Sequence, residues 1–479
     1  MSHAKWLWIL FCVLPIWVTQ ALASSGNNTQ PTGEPFESLT LTIYQNGALF
    51  YHKKDFSLKK GQNMLKFSGI CPELLPGSIF VEAGNSSKIV SYSYELKPVS
   101  TRALLRAFQG KTVFLKAKEK CCVQKAKREA KLVSFSGNKA LVQTQTGLFE
   151  TDISRIVFPA IPKGFSNKPQ LSIGLWSFTA AKKPLGIFYL SGRLNWNGEY
   201  TGMLSTDEKH IDVQAFSYIK NNSDMLVQNA KVKLVAGEVN LHTRRNFPVA
   251  RAFEAKAMAA PAAPIGPERE EFFEYHIYKY PGRLSLFPRQ TKHVLLFQAD
   301  ALPCNKKFVL RPTSSYYYRN ADRSLKNLHP DIILEIKTEK GEKGPPFPAG
   351  IFRVYKRDSE NSPVFVGEQR ISSTASGEKI VLNLGRAFDI TAKKKQLAFK
   401  RIRTGDKYSY RYDSKFEIVI HNSKDIPVSI TIKESIPGDW NITKENFPHE
   451  RETAHLVSWK VKVPPRGKEV LRYSVRVWD

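Results

Sequence analysis

The stretch LTLTIYQNGALFY, residues 39–51, decides the fold class. From Leu39 to Tyr44, apolar residues alternate with threonine, and this period of two is typical of a half-buried β-strand. Asn46-Gly47 follows, which is the dipeptide that two-residue hairpin turns prefer. Apolar residues resume from Ala48 to Tyr51. The stretch therefore predicts a β-hairpin.

The same pattern recurs along the chain. Residues 56–67 alternate around a glycine turn, and residues 108–158 hold five short apolar segments separated by Gly or Asn. Longer alternating segments run through 170–234, 272–297 and the last 80 residues, while no long helical period occurs. We therefore predict an all-β, multi-domain chain of β-sandwiches plus a small five-stranded barrel.

The chain of 479 residues is long enough for several domains. Lys116–Lys127 is expected to be an exposed loop of the barrel, with a helix over Lys118–Glu129 as the alternative. The expected order after residues 1–23 is an N-terminal β domain at 36–95, the small β-barrel at 106–160, a β-rich central region at 168–400 with an Ala/Pro-rich loop at 244–267, and a C-terminal β-sandwich at 408–479.

Residues 1–23 have the features of a secretory signal peptide. Lys5 supplies a positive start, the apolar run from Trp6 to Val18 follows, and Ala21 and Ala23 are small residues at the positions that signal peptidase reads. The apolar run is shorter than the roughly 20 residues that a spanning helix needs, so cleavage is favoured over a retained anchor. We expect an exported product, periplasmic or secreted.

An oxidising compartment would allow the cysteines of the exported product to form disulfides. The four cysteines that remain after export permit two disulfides, in three possible pairings. A bridge between the two adjacent cysteines is disfavoured because it strains the backbone. A link from the first cysteine to one of the adjacent pair is plausible. No spaced ligand pairs with nearby His suggest a metal site. The cysteines that remain after export are Cys71, Cys121, Cys122 and Cys304.

An ordered string of motifs resembles a bacterial family, the domain of unknown function 4139, some of whose members are called mucoidy-inhibitor-like. The resemblance covers about residues 36–479 and implies an exported, β-rich protein without an established biochemical role. Many relatives carry a coiled coil after the N-terminal β region, whereas this chain lacks heptads, and family members also carry a low-complexity loop like 244–267. The motifs lie at 194–200, 229–240, 273–278, 348–356, 365–368, 385–390 and 436–440.

Catalytic signatures are absent from the sequence: it has no nucleophile elbow, zinc-protease helix, Walker loop or dinucleotide fingerprint. Ser57–Lys60 matches Ser-x-x-Lys only formally, within strand-and-turn sequence. His449 and His455 favour a solvated loop over a metal site. Glu434 and Asp439 could be paired carboxylates for sugar hydrolysis, but a turn Asp explains the pattern better. We predict no catalytic residues, no metal and no cofactor.

Basic residues are the most informative chemical feature, with a formal net charge of +29. A cluster near residue 400 predicts contact with a polyanion, such as lipid headgroups or anionic envelope polysaccharide, and nucleic acid is the least favoured because of the export signal. The alternative is a solvated face in a source whose proteins are broadly basic. Tyr316–Arg319 is open between a sugar-binding platform and a packed strand. The predicted anion-binding residues are Lys393, Lys394, Lys395, Lys400, Arg401 and Arg403.

The function that these features favour is a non-catalytic binding or scaffolding module of the cell envelope, with an envelope protein or an anionic envelope polymer as its partner. One alternative is a hydrolase acting on envelope polysaccharide or peptidoglycan, which would bring carboxylates together from distant strands. Another is an electrostatic adaptor on an anionic membrane surface, with binding that fades steeply with salt.

Overall fold

A computed structural model describes residues 29–30, 38–116, 128–162, 164–237, 239–241, 267–312, 317–320, 325–338, 344–405 and 408–479. These residues form 32 strands, numbered β1–β32 in chain order, one α-helix and two short 3-10 turns at Pro76–Ser78 and Ile153–Arg155. The predicted all-β fold class is confirmed. The predicted signal peptide and most of the loop at 244–267 lie outside the described residues.

The strands belong to two compact units. The first takes its described residues from 1–35, 55–70 and 83–185, and the second from 36–54, 71–82 and 186–479. The first unit contains a four-stranded sheet in the order β1-β4-β12-β6. Its strands are β1 (Thr29–Gln30), β4 (Gly61–Phe67), β6 (Ser87–Lys97) and β12 (Ser166–Ser177).

A five-stranded sheet in the first unit corresponds to the predicted small barrel. The five short strands are confirmed, but the barrel is wrong, because the sheet is open in the order β10-β9-β8-β7-β11. The strands are β7 (Thr112–Leu115), β8 (Arg128–Ser136), β9 (Lys139–Thr144), β10 (Gly147–Asp152) and β11 (Ile156–Val157).

Helix α1 (Thr101–Phe108) gives the physical reason why this sheet stays open. Ser100 caps the helix by accepting a hydrogen bond from the backbone N–H of Ala103 at 3.2 Å. Leu105 and Phe108 pack with the apolar residues of β7, β8 and β9 in one buried cluster. The helix therefore covers the apolar face that barrel closure would otherwise bury.

The opening hairpin lies in an eight-stranded sheet. β2 and β3 pair antiparallel with Tyr44 opposite Gly47, which confirms the predicted hairpin. The order is β17-β18-β16-β2-β3-β13-β5, and β19 pairs β16. The strands are β2 (Ser38–Tyr44), β3 (Gly47–Leu58), β5 (Phe80–Glu82), β13 (Ala181–Ser191), β16 (Val227–Ala236), β17 (Glu268–Phe272), β18 (Tyr275–Lys279) and β19 (Leu284–Leu286).

A ten-stranded sheet follows the order β24-β23-β14-β15-β20-β28-β31-β30, and β22 links β20 to β25. Its strands are β14 (Leu194–Leu204), β15 (His210–Asn221), β20 (Thr291–Leu310), β22 (Asp331–Lys337), β23 (Gly350–Arg357), β24 (Pro363–Ile371), β25 (Lys379–Arg386), β28 (Val428–Ser435), β30 (His449–Arg451) and β31 (Leu456–Val463).

A second five-stranded sheet, in the order β21-β26-β27-β32-β29, packs against β20, β28 and β31 of the ten-stranded sheet. Alternate residues of both sheets form one buried core that includes Phe416, Ile430, Trp459 and Tyr473. This arrangement is a β-sandwich. The strands of the second sheet are β21 (Leu325–Leu328), β26 (Ile390–Arg403), β27 (Tyr410–Asn422), β29 (Asp439–Glu445) and β32 (Lys468–Trp478).

Predicted domain boundaries remain predictions. β2 and β4 both come from the predicted N-terminal domain, and they lie in different sheets. Among the described residues, no helix is long and apolar enough to cross a bilayer.

Candidate functional site: a basic sheet face

The outer side of strands β26, β27 and β32 is rich in positive charge. Neighbouring side chains on a strand point to opposite faces, so every second residue of these strands turns away from the sandwich core. On the outer side, these three strands carry eight cationic side chains and two carboxylates, those of Asp413 and Glu417. We call this surface the basic face. Its cations are Lys393, Lys395, Lys400, Arg411, Lys415, Lys468, Arg472 and Arg476.

The arginines of the basic face are engaged by its two carboxylates. Arg472 donates to Glu417 at 2.8 Å, Arg476 donates to Asp413 at 3.0 Å, and Arg411 reaches Asp413 at 3.2 Å. The arginines are thereby oriented, and little negative charge is left for the lysines.

Five lysines of the basic face are exposed and have no ion pair within the described part of the chain: Lys393, Lys395, Lys400, Lys415 and Lys468. Lys395 lies opposite Glu417 and Lys400 lies opposite Asp413 on the neighbouring strand. Because both carboxylates are shared with arginine, the positive charge of these lysines is largely uncompensated. The arrangement can attract an extended anion.

The six basic residues predicted from the sequence divide among three environments. Lys393, Lys395 and Lys400 lie on the basic face. A bulge between Gln396 and Ala398 shifts the alternation of β26 by one residue, so that Lys400 points to the same side as the other two. Arg401 and Arg403 point to the opposite side of the sheet. The sixth residue, Lys394, points into the core. Anion binding remains a prediction.

Lys394 is only 2% exposed and belongs to a buried lysine cluster with Glu434, Tyr317 and Tyr473. Its Nζ donates to Oε1 and Oε2 of Glu434 at 2.7 and 2.8 Å. The Tyr317 hydroxyl donates to Glu434 Oε2 at 3.0 Å and lies 3.2 Å from the Tyr473 hydroxyl. The ammonium of Lys394 is therefore neutralised by a partner and not directed at solvent.

Aromatic rings surround this cluster. The Nζ of Lys394 lies 4.8 Å from the Phe416 ring centroid and 5.4 Å from that of Tyr317. Burial, with the neighbouring Glu434 carboxylate, raises the pKa of Tyr317 and of Tyr473 well above the usual range. Both hydroxyls therefore stay protonated. The Lys394–Glu434 ion pair itself joins the two sheets of the sandwich, since Lys394 lies on β26 and Glu434 on β28.

The carboxylates considered for hydrolysis have separate partners. Glu434 lies in the buried lysine cluster, and Asp439 accepts a hydrogen bond from the Tyr408 hydroxyl. His449 Nδ1 lies 3.0 Å from both carboxylate oxygens of Glu445, and Glu445 also accepts from the Trp459 indole at 2.8 Å. Within the described residues, no group of three or more His, Cys, Asp or Glu side chains is placed to hold a metal ion.

The described cysteines, Cys71 and Cys304, both have free thiols. Burial raises the pKa of each thiol to about 11, aided at Cys304 by the charges of Asp207 and Glu208. Cys121 and Cys122 lie outside the described residues, and the disulfide pairing remains a prediction.

Sequence reasoning missed several members of charge networks. Lys415, Arg472 and Arg476 are scattered along the sequence, and only the pairing of β26, β27 and β32 brings them to the predicted lysines. Glu208 likewise binds both Lys306 and Lys356, the latter at 2.6 Å. The period of two within each strand predicts the side of the sheet to which each of these side chains points. No local feature of the sequence predicts which strands are neighbours.

The tyrosine run at 316–319 is divided between two environments. Tyr317 is in the buried lysine cluster, whereas Tyr318 is 38% exposed and packs edge-on against Tyr412, with 5.1 Å between ring centroids. Tyr316 lies outside the described residues.

Comparison with known families places one segment of the chain. Residues 41–132 match the family model of the N-terminal domain of unknown function (DUF4140). No curated protein matches the chain. The match supports the resemblance drawn from the motifs, while the mucoidy-inhibitor-like description and the missing coiled coil remain expectations. Over residues 41–132, the chain is thus similar to the N-terminal domain of unknown function (DUF4140), and this segment is what the comparison identifies.

Proposed function

We propose that the protein is an exported, non-catalytic binding or scaffolding module of the cell envelope, and that it binds an anionic polymer through the basic face. The observation that carries this proposal is the excess of cations there: on β26, β27 and β32, eight cationic side chains share the outer face with two carboxylates. Export rests on the signal-like features of residues 1–23.

The geometry of a sheet suits an extended polyanion. Residues on one face of a strand recur about every 7 Å, and neighbouring strands lie about 5 Å apart. Lys393 and Lys395 therefore offer repeated charges along β26, and Lys415 extends the positive field to β27. A polymer that neutralises them releases its counterions, so its binding weakens as salt increases.

The sandwich beneath the basic face is suited to holding these lysines in place. Their strands pair along almost their whole length, from Ile390–Asn422 to Arg403–Tyr410 for β26 and β27. The buried lysine cluster fixes the position of β26 against the opposite sheet. A rigid array loses less conformational entropy on binding than charges on a loose tail would.

The test is a retention assay with the chain from residue 24 to 479. The protein is passed over fractionated envelope polymers and anionic vesicles at low and at high salt. A basic-face variant carries Lys→Gln at 393, 395, 400 and 415, and a control variant carries Lys→Gln at the exposed lysines 59, 60, 88 and 462.

We expect retention of the wild type and of the control variant at low salt, and loss of retention for the basic-face variant. Equal retention of all three proteins would contradict the proposal. Retention on vesicles alone would instead favour the electrostatic membrane adaptor. Retention that survives high salt would indicate a site that does not depend on charge.

A further inference from the structure

At one end of the sandwich, aromatic rings and an arginine lie together on the inner side of the sheet, opposite the basic face. Tyr412 is the buried centre of this group, and the ring centroids of Tyr318, Phe399 and Tyr410 lie 5.1, 6.2 and 6.3 Å from its own. The guanidinium of Arg401 lies 3.7 Å from the Tyr410 ring centroid. We call these five residues the arginine–aromatic cluster.

The cluster presents ring surface to solvent. Tyr318 is 38% exposed, Phe399 and Tyr410 are half-buried, and Arg401 is exposed. Large apolar groups gathered at a surface are typical of binding sites. Because Arg401 already stacks on Tyr410, its planar donors are held in place and not free to sample many rotamers.

We propose that the arginine–aromatic cluster binds a sugar unit of a carboxylated polysaccharide. This inference rests on the proposed function, because the same polymer would continue onto the basic face. The C–H faces of a sugar ring stack on aromatic rings, and a guanidinium can hold a carboxylate by two parallel hydrogen bonds.

The charges around the cluster agree with this ligand. Arg403 lies opposite Tyr410 on β27, so a second guanidinium faces the same side as Arg401. Burial, and to a lesser degree the charge of Asp479, raises the pKa of the Tyr318 hydroxyl. The Asp479 carboxylate near Tyr318 can accept hydrogen bonds from sugar hydroxyls.

Lys400 connects the two surfaces. It is the neighbour of Arg401 on β26, and the two side chains point to opposite faces of the same strand. Among the described residues, β21 pairs with β26 over residues 392–394, and no described strand pairs with Lys400–Arg403 on that side of β26, which forms an edge of the described sheet. A chain of sugars can therefore pass around this edge from one face to the other.

The test compares three polymers with the chain from residue 24 to 479: polygalacturonate, which is carboxylated, dextran, which is neutral, and polyphosphate, which offers charge without sugar rings. Two variants address the cluster: Tyr318→Ala removes an exposed ring, and Arg401→Lys keeps the charge but removes the planar fork. Phe273→Ala is the matched control, since Phe273 is 84% exposed in the turn between β17 and β18.

Each cluster variant is expected to weaken polygalacturonate binding about tenfold and to leave polyphosphate binding unchanged. Dextran should not bind, and Phe273→Ala should behave as wild type. Unchanged polygalacturonate binding in both cluster variants, with melting temperatures like wild type, would overturn the inference. The proposed function fails separately, if the basic-face variant binds polyphosphate as tightly as wild type does.

Discussion

Replacing Lys394 by Met should open the C-terminal sandwich. The substitution leaves Glu434, which is 0% exposed, with a buried charge and no cation, because its partners would then be only the hydroxyl groups of the buried lysine cluster. Removing one partner of a buried ion pair costs about 3–5 kcal/mol. Since about 1.4 kcal/mol is a factor of ten, the opening constant should rise by about two to four orders of magnitude.

Hydrogen exchange measured by mass spectrometry is the suitable assay, since a chain of two units has no single unfolding free energy. Peptides from β27 and β32 report the opening of the sandwich. Lys393→Met is the matched control, because Lys393 is the exposed neighbour of Lys394 on the same strand. The control should change the opening free energy by no more than about 0.5 kcal/mol.

A double variant tests whether the cost of the single substitution comes from the unpaired charge of Glu434. Lys394→Met with Glu434→Leu removes both charges, and an apolar replacement of a buried pair is often neutral or stabilising. The Tyr317 and Tyr473 hydroxyls keep each other as partners at 3.2 Å. We expect the double variant to exchange within about tenfold of wild type. A single variant that exchanges like Lys393→Met, or a double variant as open as the single one, would refute the reasoning.

Three further predictions concern other parts of the molecule. Burial lowers the pKa of His52 to about 3, so only the unfolded state gains a proton as pH falls below about 6.5. The opening free energy of peptides from β3, measured by hydrogen exchange, should therefore fall by about 2 kcal/mol from pH 7 to pH 5, and His52→Gln should lack this loss. Iodoacetamide at pH 8 should alkylate Cys304 about a hundredfold more slowly in the native than in the unfolded protein, because its pKa is raised to about 11; equal rates would contradict this. Gly350→Ala would press a methyl group onto the Gly198 backbone of the neighbouring strand and should lower the opening free energy of β14 and β23, measured by hydrogen exchange, by about 1–3 kcal/mol. Gly77→Ala meets open space and should change it by nothing measurable.

Local pattern was sufficient to predict strands. The hairpin at 39–51 and the five short strands within 112–157 follow from a period of two and from turn residues, both of which are read within a few positions. Helix α1 was missed because it has only eight residues, too few for a helical period to stand out from the strands around it. That short helix also covers the apolar face of the adjacent five-stranded sheet, which is why the sheet stays open.

Strand order could not be predicted in the same way. Lys393, Lys394 and Lys395 are identical letters, yet the middle one is buried because its face of β26 meets the opposite sheet. Its partner Glu434 is forty residues away along the chain. The bulge between Gln396 and Ala398, which returns Lys400 to the basic face, has no signature in the sequence.

The most direct test of the account is the salt dependence of polyanion binding. Polyphosphate affinity is measured over a range of salt for the wild type, for the basic-face variant and for the variant with Lys→Gln at 59, 60, 88 and 462. If the four substituted lysines each neutralise one phosphate, the slope of log K against log salt should fall by about three to four in magnitude for the basic-face variant. The control variant should keep the wild-type slope. Identical slopes for the basic-face variant and the wild type would contradict the central claim.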